Sequence, residues 1–301
     1  MDTLAAMRVF VEIVDRGSMT AAAEALDRSQ PSMVRTLAAL ETHLGTRLLQ
    51  RTTRRMSLTP DGRDYLERCR RILADVEEAE QAVGQVDGEP RGELRMTAPL
   101  RFGELHVAPA LLDFLARYPQ MRIDLLLSDR NVDMVEEGID LAVRIGALSD
   151  SSMIGVRLGD MRRVVCASPD LLARMGRPKK PEALSDLPCI RMQNIPRQET
   201  AWTFGAGGRD VRVKIDGPFG CNQVSTATNA CAAGAGFGRF LYYQVKTLLD
   251  AGKLQTVLED AEPEALPVSI VYASGRLVSS RQRATIDWLR DALGPALAGM
   301  A

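Results

Sequence analysis

The sequence has few of the residues that support several common classes of site. Of 301 residues only two are histidine, His43 and His106, which argues against a histidine-rich metal or acid–base site. The five cysteines are odd in number and form no CxxC pair, so reduced thiols fit better than a disulfide framework or a zinc site. No apolar stretch approaches the ~20 residues needed to span a bilayer. The N-terminus, Met1-Asp2-Thr3-Leu4, lacks the basic and apolar regions of a signal peptide. We therefore expect a cytoplasmic protein with no cofactor, no metal and no membrane partner.

An overall positive charge is also missing. The net charge of −1 argues against wholesale coating of nucleic acid, but it allows one basic patch. Arg47, Arg51, Arg54 and Arg55 form such a patch with no acid among them, and the first lysine is Lys179. The planar fork of arginine suits contacts with phosphate. A solvated charged face is the alternative.

The most informative segment is 17–32, which is typical of a short helix, a tight turn and the start of a second helix. Ser18 or Thr20 can cap the first of these helices, and Ser29 can cap the second. Pro31 falls in the first turn of the second helix, where a missing N–H costs nothing. This order predicts a helix-turn-helix, which places its second helix in the major groove of DNA.

The rest of residues 1–60 fits the same unit. In the third helix one face carries four apolar residues that we expect in the core, and Gly45 is a natural stop. These four residues are Met33, Leu37, Leu40 and Leu44. The alternation over 47–59 predicts a two-stranded wing with a basic tip.

From Pro60 to about Gly84 the pattern predicts a long helix with a heptad seam. The seam consists of Tyr65, Cys69, Ile72, Val76, Ala79 and Val83. Packing onto its own domain is one interpretation. We favour a second copy of the chain as the partner, because the seam continues beyond the small N-terminal domain. Residues 87–92 then read as a hinge.

After Gly92 short strands and helices alternate, which predicts two α/β lobes with mainly parallel sheets around a cleft. Ligands in such folds bind outside the carboxyl ends of the strands. The predicted strands are 93–97, 122–128, 139–144, 163–167, 211–215 and 268–273. The predicted helices are 104–118, 132–137, 169–175, 223–233, 243–251 and 280–293. The glycines of 234–238 follow a helix, so they predict a helix-to-strand turn rather than a phosphate loop.

Together these motifs resemble the LysR-type transcriptional regulators. The N-terminal resemblance runs from Phe10-Val11 through 17–23, Ser29-Gln30-Pro31 and Leu40-Glu41 to 58–62. Later landmarks are 92–99, 140–146, Val271-Tyr272 and 287–289, so nearly the whole chain is covered. Residues 148–154 resemble a large subgroup whose effectors are mostly undefined.

The resemblance implies an α+β multidomain protein: a winged helix-turn-helix, a long linker helix and a two-lobed α/β effector domain like a type 2 periplasmic binding protein. The implied domains are 1–60 for DNA binding, 61–88 for the dimerising linker helix and hinge, and 89–301 for the effector domain. Within the last, lobe I covers about 89–163 and 268–301, and lobe II about 164–267. Implied partners are promoter DNA, a small-molecule effector, and further copies of the chain in a dimer and then a homotetramer. RNA polymerase is a further candidate partner.

Candidate DNA-binding residues combine the helix-turn-helix with the arginine wing. They are Ser18, Thr20, Ser29, Gln30, Pro31, Ser32, Met33, Val34, Arg35, Arg51, Arg54 and Arg55. At the start of the recognition helix Gln30 can pair with adenine and Arg35 with guanine. The wing arginines suit phosphates or the minor groove. Val34, Ala38 and Ala39 stand where the family often has more polar residues, which shifts base readout towards the start of the helix.

The resemblance places the effector pocket between the lobes. The candidate residues are Pro99, Leu100, Arg101, Phe102, Ser128, Arg144, Gly146, Phe204, Asn222 and Thr226. Their backbone N–H groups and hydroxyls would suit a carboxylate or an aromatic metabolite. For Arg101 and Arg144 the alternative is a structural ion pair with Asp124, Asp140 or a similar acid.

Two rival functions use only the α/β half of the chain. An enzyme is disfavoured because no nucleophile elbow, Walker loop, HExxH or paired histidine–carboxylate set is present. A solute-binding protein for transport is disfavoured by the absent signal peptide and by the attached DNA-binding module.

Overall fold

In a computed structural model, the protein forms two units, Met1–Glu89 and Pro90–Ala301. It describes residues 1–51, 56–82, 89–130, 132–134, 136–148, 153–194, 197–206, 209–274 and 278–300. The division between the units lies inside the predicted hinge at 87–92. Within the described ranges, no helix combines the length and apolar character needed to cross a membrane.

The first unit begins with three helices whose ends are set by local capping. Asp2 Oδ1 accepts the N–H of Ala5 at 3.0 Å, and Ser18 Oγ accepts that of Ala21 at 3.4 Å. Gly17 and Gly45 adopt left-handed conformations that end the first and third helices. These helices are α1 (Thr3–Arg16), α2 (Met19–Ala25) and α3 (Gln30–Leu44).

The predicted core face of α3 is confirmed at three of its four positions. Met33, Leu37 and Leu40 are fully buried among α1 and α2. The prediction for Leu44 is wrong, since 36% of this residue is exposed. It lies at the last position of the helix, beyond the neighbouring helices that cover the other three.

A two-stranded hairpin and a long helix complete the first unit. Strand β1 (Leu49–Arg51) pairs antiparallel with β2 (Met56–Leu58), so the predicted wing is present. Helix α4 (Pro60–Ala82) follows directly. Its first turns pack into the core of the unit through Leu66, Cys69 and Leu73.

The first lobe of the second unit is a five-stranded sheet in the order β4-β3-β5-β15-β6. Its strands are β3 (Gly92–Ala98), β4 (Met121–Leu127), β5 (Leu141–Ile145), β6 (Met153–Met161) and β15 (Leu266–Ala273). Only β4, β3 and β5 are parallel, because β15 returns from the second lobe and pairs antiparallel with both β5 and β6. The prediction of mainly parallel sheets is therefore wrong.

Helices cover this sheet and close its core. The apolar faces of the covering helices meet Leu94, Met96 and Val143 of the sheet in one cluster. These helices are α5 (Leu100–Phe102), a π-helical turn (Gly103–Val107), α6 (Ala108–Arg117) and α10 (Ser280–Ala298). The predicted helix at 132–137 is wrong: the described residues there form a turn that ends at Gly138, whose φ is 63°.

The second lobe is built from short strands and three helices. Strand β7 (Arg163–Ala167) lies between β13 (Gly238–Leu241) and β14 (Gln255–Val257), antiparallel to both. The other strands are β8 (Arg191–Asn194), β9 (Arg197–Gln198), β10 (Ala201–Ala206), β11 (Arg209–Lys214) and β12 (Gly220–Cys221). The helices are α7 (Pro169–Met175), α8 (Val224–Ala232) and α9 (Tyr242–Asp250). The glycines of 234–238 connect α8 to β13, as predicted.

Candidate DNA interface and effector cleft

The start of α3 is an exposed surface of mixed polar and apolar side chains. Gln30, Pro31, Val34 and Arg35 line an open hollow of about 510 Å³. Arg35 forms no hydrogen bond or ion pair with any residue that the structure describes, so its guanidinium is available to a ligand. Ser32 is half-buried beside this surface.

The four other candidates in this region differ in environment. Met33 is fully buried in the core, so the prediction that it contacts DNA is wrong. Ser18 uses its hydroxyl to cap α2, whereas Thr20 is exposed on the same helix. Ser29 occupies the position before α3 as predicted, but its side chain makes no capping hydrogen bond.

Glu41 of α3 fixes the wing against the recognition helix. Its Oε1 accepts the backbone N–H groups of Leu48 at 2.9 Å and Leu49 at 3.1 Å. Both leucines are buried, so these N–H groups would otherwise lack water. Glu41 was not among the predicted site residues. The sequence signal that could have identified it is an acidic residue on the third helix, shortly before the first predicted strand.

A second set of contacts ties the wing to α4. The Thr59 hydroxyl donates to the carbonyl oxygen of Arg47 at 2.7 Å and accepts the N–H of Gly62 at 2.9 Å. Gly62 packs directly against Leu48, because a Cβ at position 62 would lie 2.0 Å from the Leu48 carbonyl oxygen. The recognition helix, the wing and the linker helix are thus joined at one point.

The wing arginines are only partly within the described chain. Arg51 is the last residue of β1 and pairs through its backbone with Met56. Arg54 and Arg55, the predicted basic tip, lie outside the described residues. Their assignment to phosphate contacts stays a prediction.

The predicted seam of α4 divides into two parts. Cys69 is fully buried in the core of its own unit, and the Tyr65 ring lies 5.9 Å from that of Phe10. Packing onto the same domain therefore describes Cys69, and its assignment to a dimer seam is wrong. Tyr65 packs on its own domain through one side and is half-buried, so its place in the seam stays a prediction. Ile72 is 39% exposed and Val76 is half-buried.

Two further points on α4 are the placement of its last seam positions and the protonation of its buried thiol. The backbone of Ala79 is helical, and Val83 lies outside the described residues. Burial raises the pKa of Cys69 to about 11 and that of Tyr65 to about 12, so both groups are protonated at neutral pH.

In the second unit the carboxyl ends of parallel strands β3 and β4 bring together the first part of the predicted effector site. The Ser128 N–H donates to the Ala98 carbonyl oxygen at 2.9 Å. The Leu100 N–H donates to Asp129 Oδ1 at 3.0 Å. Asp129 thus adds a carboxylate beside Pro99 that the sequence interpretation missed.

The two candidate arginines of the cleft differ in environment. Arg101 pairs with Glu104 at 3.1 Å, so the expected structural ion pair exists with a different acid. Arg144 Nη2 donates to the Val132 carbonyl oxygen at 3.4 Å, and burial lowers its pKa. Gly146 has a φ of 125°, which favours glycine at the end of β5.

An aromatic cluster joins the two lobes beside these groups. The Phe102 ring lies 5.2 Å from the Tyr243 ring of α9, edge-on, and 4.9 Å from the His106 ring. Burial raises the pKa of Tyr243 to about 12, with the Asp129 carboxylate acting in the same direction. Phe102 is itself only 1% exposed, so its ring is not an accessible contact for a ligand.

The remaining candidates are not brought to this place by the described contacts. Phe204 is 2% exposed within the core of the second lobe, so the prediction that it lines the pocket is wrong. Asn222 and Thr226 are exposed at the start of α8. Within the described ranges, no three His, Cys, Asp or Glu side chains group as a metal site would require.

Comparisons with known proteins agree with both units. A family model described as "Bacterial regulatory helix-turn-helix protein, lysR family" matches residues 4–63, and the "LysR substrate binding domain" matches residues 87–294. The chain is 36% identical over 285 residues to an HTH-type transcriptional regulator of Xanthomonas campestris pv. campestris (strain 8004), covering 93% of this chain and 83% of that protein. It is also 36% identical over 292 residues to an HTH-type transcriptional repressor of Pseudomonas aeruginosa (strain UCBPP-PA14), covering 97% and 92%.

A solved structure extends the likeness to the full length. CrgA, a LysR-type transcriptional regulator from Neisseria meningitidis, matches with a TM-score of 0.61 at 31% identity, covering 96% of this chain and 98% of that one. The chain therefore belongs to the LysR family of transcriptional regulators, with a helix-turn-helix for DNA and an effector-binding unit.

Proposed function

We propose that the start of α3 reads the bases of a promoter operator. The observation that supports this most directly is Arg35, an exposed guanidinium with no partner among the described residues. Gln30 and Ser32 lie one turn before it. Arginine can bond guanine in a bidentate manner, and glutamine can do the same with adenine. Val34 adds an apolar surface that suits the methyl group of thymine.

The wing has a separate role in this proposal. Arg51, Arg54 and Arg55 neutralise phosphates, which positions the protein without reading sequence. Two equivalent recognition helices require a symmetric oligomer on a partly palindromic site. Ile72, Val76 and Ala79 form the part of α4 left for a second copy, and the predicted seam continues to Val83.

The wider assignment follows the same division of the chain. Residues 1–60 bind DNA, 61–88 form the dimerising helix and hinge, and 89–301 hold the effector. The oligomer is a homotetramer that acts in the cytoplasm and contacts RNA polymerase at the promoter. The second unit is a sensor without catalytic activity.

The effector binds at the carboxyl ends of β3, β4 and β5. Pro99 and Leu100 follow β3, Ser128 follows β4 and Gly146 follows β5, near the Phe102–Tyr243 contact between the lobes. A small carboxylate, aliphatic or aromatic, suits the Ser128 hydroxyl. The Leu100 N–H is already bonded to Asp129, so a carboxylate there takes its hydrogen bonds from Ser128 and Arg144 or displaces Asp129.

DNA recognition is tested by first mapping the genomic fragments that the purified protein binds. Affinities of the wild type and variants are then measured over a salt series on a bound fragment and on random DNA. Arg35→Ala should cost about 1–3 kcal/mol on the operator and little on random DNA. Arg54→Ala should weaken both and reduce the salt slope by about one.

Arg8→Ala is the matched control, because Arg8 is an exposed arginine of α1 outside the proposed interface. Equal losses on operator and random DNA for Arg35→Ala would contradict base readout. A thermal-shift screen of metabolite carboxylates tests the cleft, with Ser128→Ala expected to abolish the shift and Ser185→Ala to keep it. A screen in which no carboxylate or aromatic acid raises Tm would count against the effector proposal.

A further inference from the structure

An open cavity of about 560 Å³ lies in the second lobe, beside the place where the chain passes between the lobes. This volume is in the range of small-molecule sites. Its lining residues come from the start of β7, the loop after α7, helix α9 and the β14 region. They are Arg162, Arg177, Tyr242, Leu249, Leu254, Gln255, Thr256 and Glu259.

One charged group of the cavity is neutralised by an ion pair within the protein. Arg162 makes two bonds to Glu262, Nε to Oε2 and Nη2 to Oε1, each at 2.9 Å. Its guanidinium also lies 5.4 Å from the centre of the Tyr242 ring. Because Arg162 follows β6 and Glu262 precedes β15, this bidentate pair joins the two segments that pass between the lobes.

Two opposite charges in the same cavity have no ion-pair partner among the described residues. The Arg177 guanidinium donates only to the Gln255 side chain and to the Thr256 carbonyl oxygen. Since a guanidinium carries five N–H donors, three remain unused. Among the described residues the Glu259 carboxylate accepts one hydrogen bond, from the Thr256 hydroxyl, and it lies within electrostatic reach of Arg162 without forming an ion pair. Both side chains belong to exposed residues.

The backbone beside Glu259 is held in a rare conformation. Leu258 has a φ of 60°, in the left-handed region that non-glycine residues seldom adopt. Such strain persists where the surrounding structure fixes it, and it concentrates at binding sites. It places Glu259 at the first position of a 3₁₀ turn, facing the cavity with Arg177.

We propose that this cavity binds a small zwitterion of the α-amino acid class. The ligand carboxylate pairs with Arg177 and its ammonium group with Glu259. Half-buried Leu249 supplies an apolar surface for the rest of the molecule. A simple anion fits less well, because Glu259 lines the cavity and Glu262 neutralises Arg162.

The test uses the full-length protein and the twenty standard amino acids. Binding is first detected as a rise in Tm and then measured by calorimetry. The tightest amino acid is compared with the acid that lacks its amine and with the amine that lacks its carboxylate. We expect each of these two analogues to bind at least about tenfold more weakly, because each leaves one protein charge unpaired.

Three variants locate the ligand. Arg177→Gln and Glu259→Gln should each weaken binding at least about tenfold, and Arg174→Gln should stay within about twofold. Arg174 is a neighbouring exposed arginine that bonds to the Gly234 carbonyl oxygen and does not line the cavity. Both test positions are exposed, so the apo Tm of each variant should match that of the wild type.

Three outcomes would overturn the proposal. The first is that no amino acid raises Tm or gives a heat of binding. The second is that binding survives in both Arg177→Gln and Glu259→Gln, which would place the ligand elsewhere, including the cleft at Ser128. The third is that the deaminated acid binds as tightly as the amino acid, which would make the site an anion site.

Discussion

Replacing Glu41 by alanine should destabilise the first unit strongly, although Glu41 lies outside the apolar core. The substitution leaves the N–H groups of Leu48 and Leu49 without their shared acceptor. A hydrogen bond to a charged group contributes about 1.5–3 kcal/mol. Taking the lower figure for each bond, because Glu41 is half-exposed, gives a loss of about 3 kcal/mol.

This loss is large for a unit of this size. In a domain of about 90 residues, 1 kcal/mol lowers Tm by about 4–8 °C, so the first unit should melt at least about 12 °C earlier. Glu41→Gln keeps one carbonyl acceptor without the charge and should lose about half as much. The wing should also lose its fixed position, which lowers affinity for DNA even below the new Tm.

The assay separates the two units without cutting the chain. Both tryptophans, Trp202 and Trp288, lie in the second unit, so fluorescence follows that unit alone. Far-UV circular dichroism follows both. Glu41→Ala should move the dichroism transition of the first unit and leave the fluorescence transition in place. Glu24→Ala, at an exposed residue of α2, is the control. The reasoning fails if Glu41→Ala unfolds within about 0.5 kcal/mol of the wild type.

Three further predictions follow from the described contacts. Gly62→Ala should prevent correct folding of the first unit, because its Cβ would meet the backbone of Leu48 at 2.0 Å, and a normal dichroism melt would contradict this. Gly294→Ala should lower the free energy of unfolding, because Pro295 follows within α10 and its ring would crowd a Cβ on the preceding helical residue; a gain of stability in urea titration would refute it. The Cys69 thiol, with its pKa raised to about 11, should resist iodoacetamide at pH 8 while half-buried Cys221 reacts, and mass spectrometry of the labelled folded chain checks this. The raised pKa of Cys69 also makes the free energy of unfolding depend on pH. The contribution of the buried, protonated thiol is fully present below pH 9 and is lost as the pH rises through about 11.

The helix-turn-helix was predictable because its signals are local. Gly17, Ser18, Pro31 and Gly45 each act within one turn of their own position, through a cap, a fixed φ or a left-handed end. The structure places all four where that physics requires. Glu41 was missed because its role depends on the wing returning to α3, which no local pattern encodes.

The second unit contains features that local sequence patterns do not predict. Strand β6 (Met153–Met161) contains two glycines and an aspartate, so its sequence carries no strand pattern. It is a strand because β15 pairs along its whole length. The direction of β15 is set by the chain's return from the second lobe, and that reversal made the prediction of parallel sheets wrong. The segment 132–137 has helical composition, but Gly138 ends it after one turn.

The placement of the candidate effector residues was predictable only in part. Pro99, Leu100 and Ser128 follow strands whose parallel pairing could be inferred, so their meeting was predictable. Phe204 was assigned by resemblance alone, and its side chain faces the core of the second lobe. Asp129 follows Ser128 directly, but its bond to the Leu100 N–H depends on how far the helix after β3 reaches towards β4.

Helix α4 shows why a periodic seam does not identify its partner. Apolar residues spaced alternately by four and three positions lie on one face of a helix, and this spacing is the same whether that face packs against its own domain or against another chain. The first turns of α4 lie within reach of α1, and there Cys69 is fully buried and Tyr65 packs against Phe10. Further along, Ile72 is 39% exposed, because the small first unit covers the helix no further on that side. The first part of this heptad pattern therefore packs against the core of its own unit. In the proposed dimer, the later part packs against a second copy of the chain.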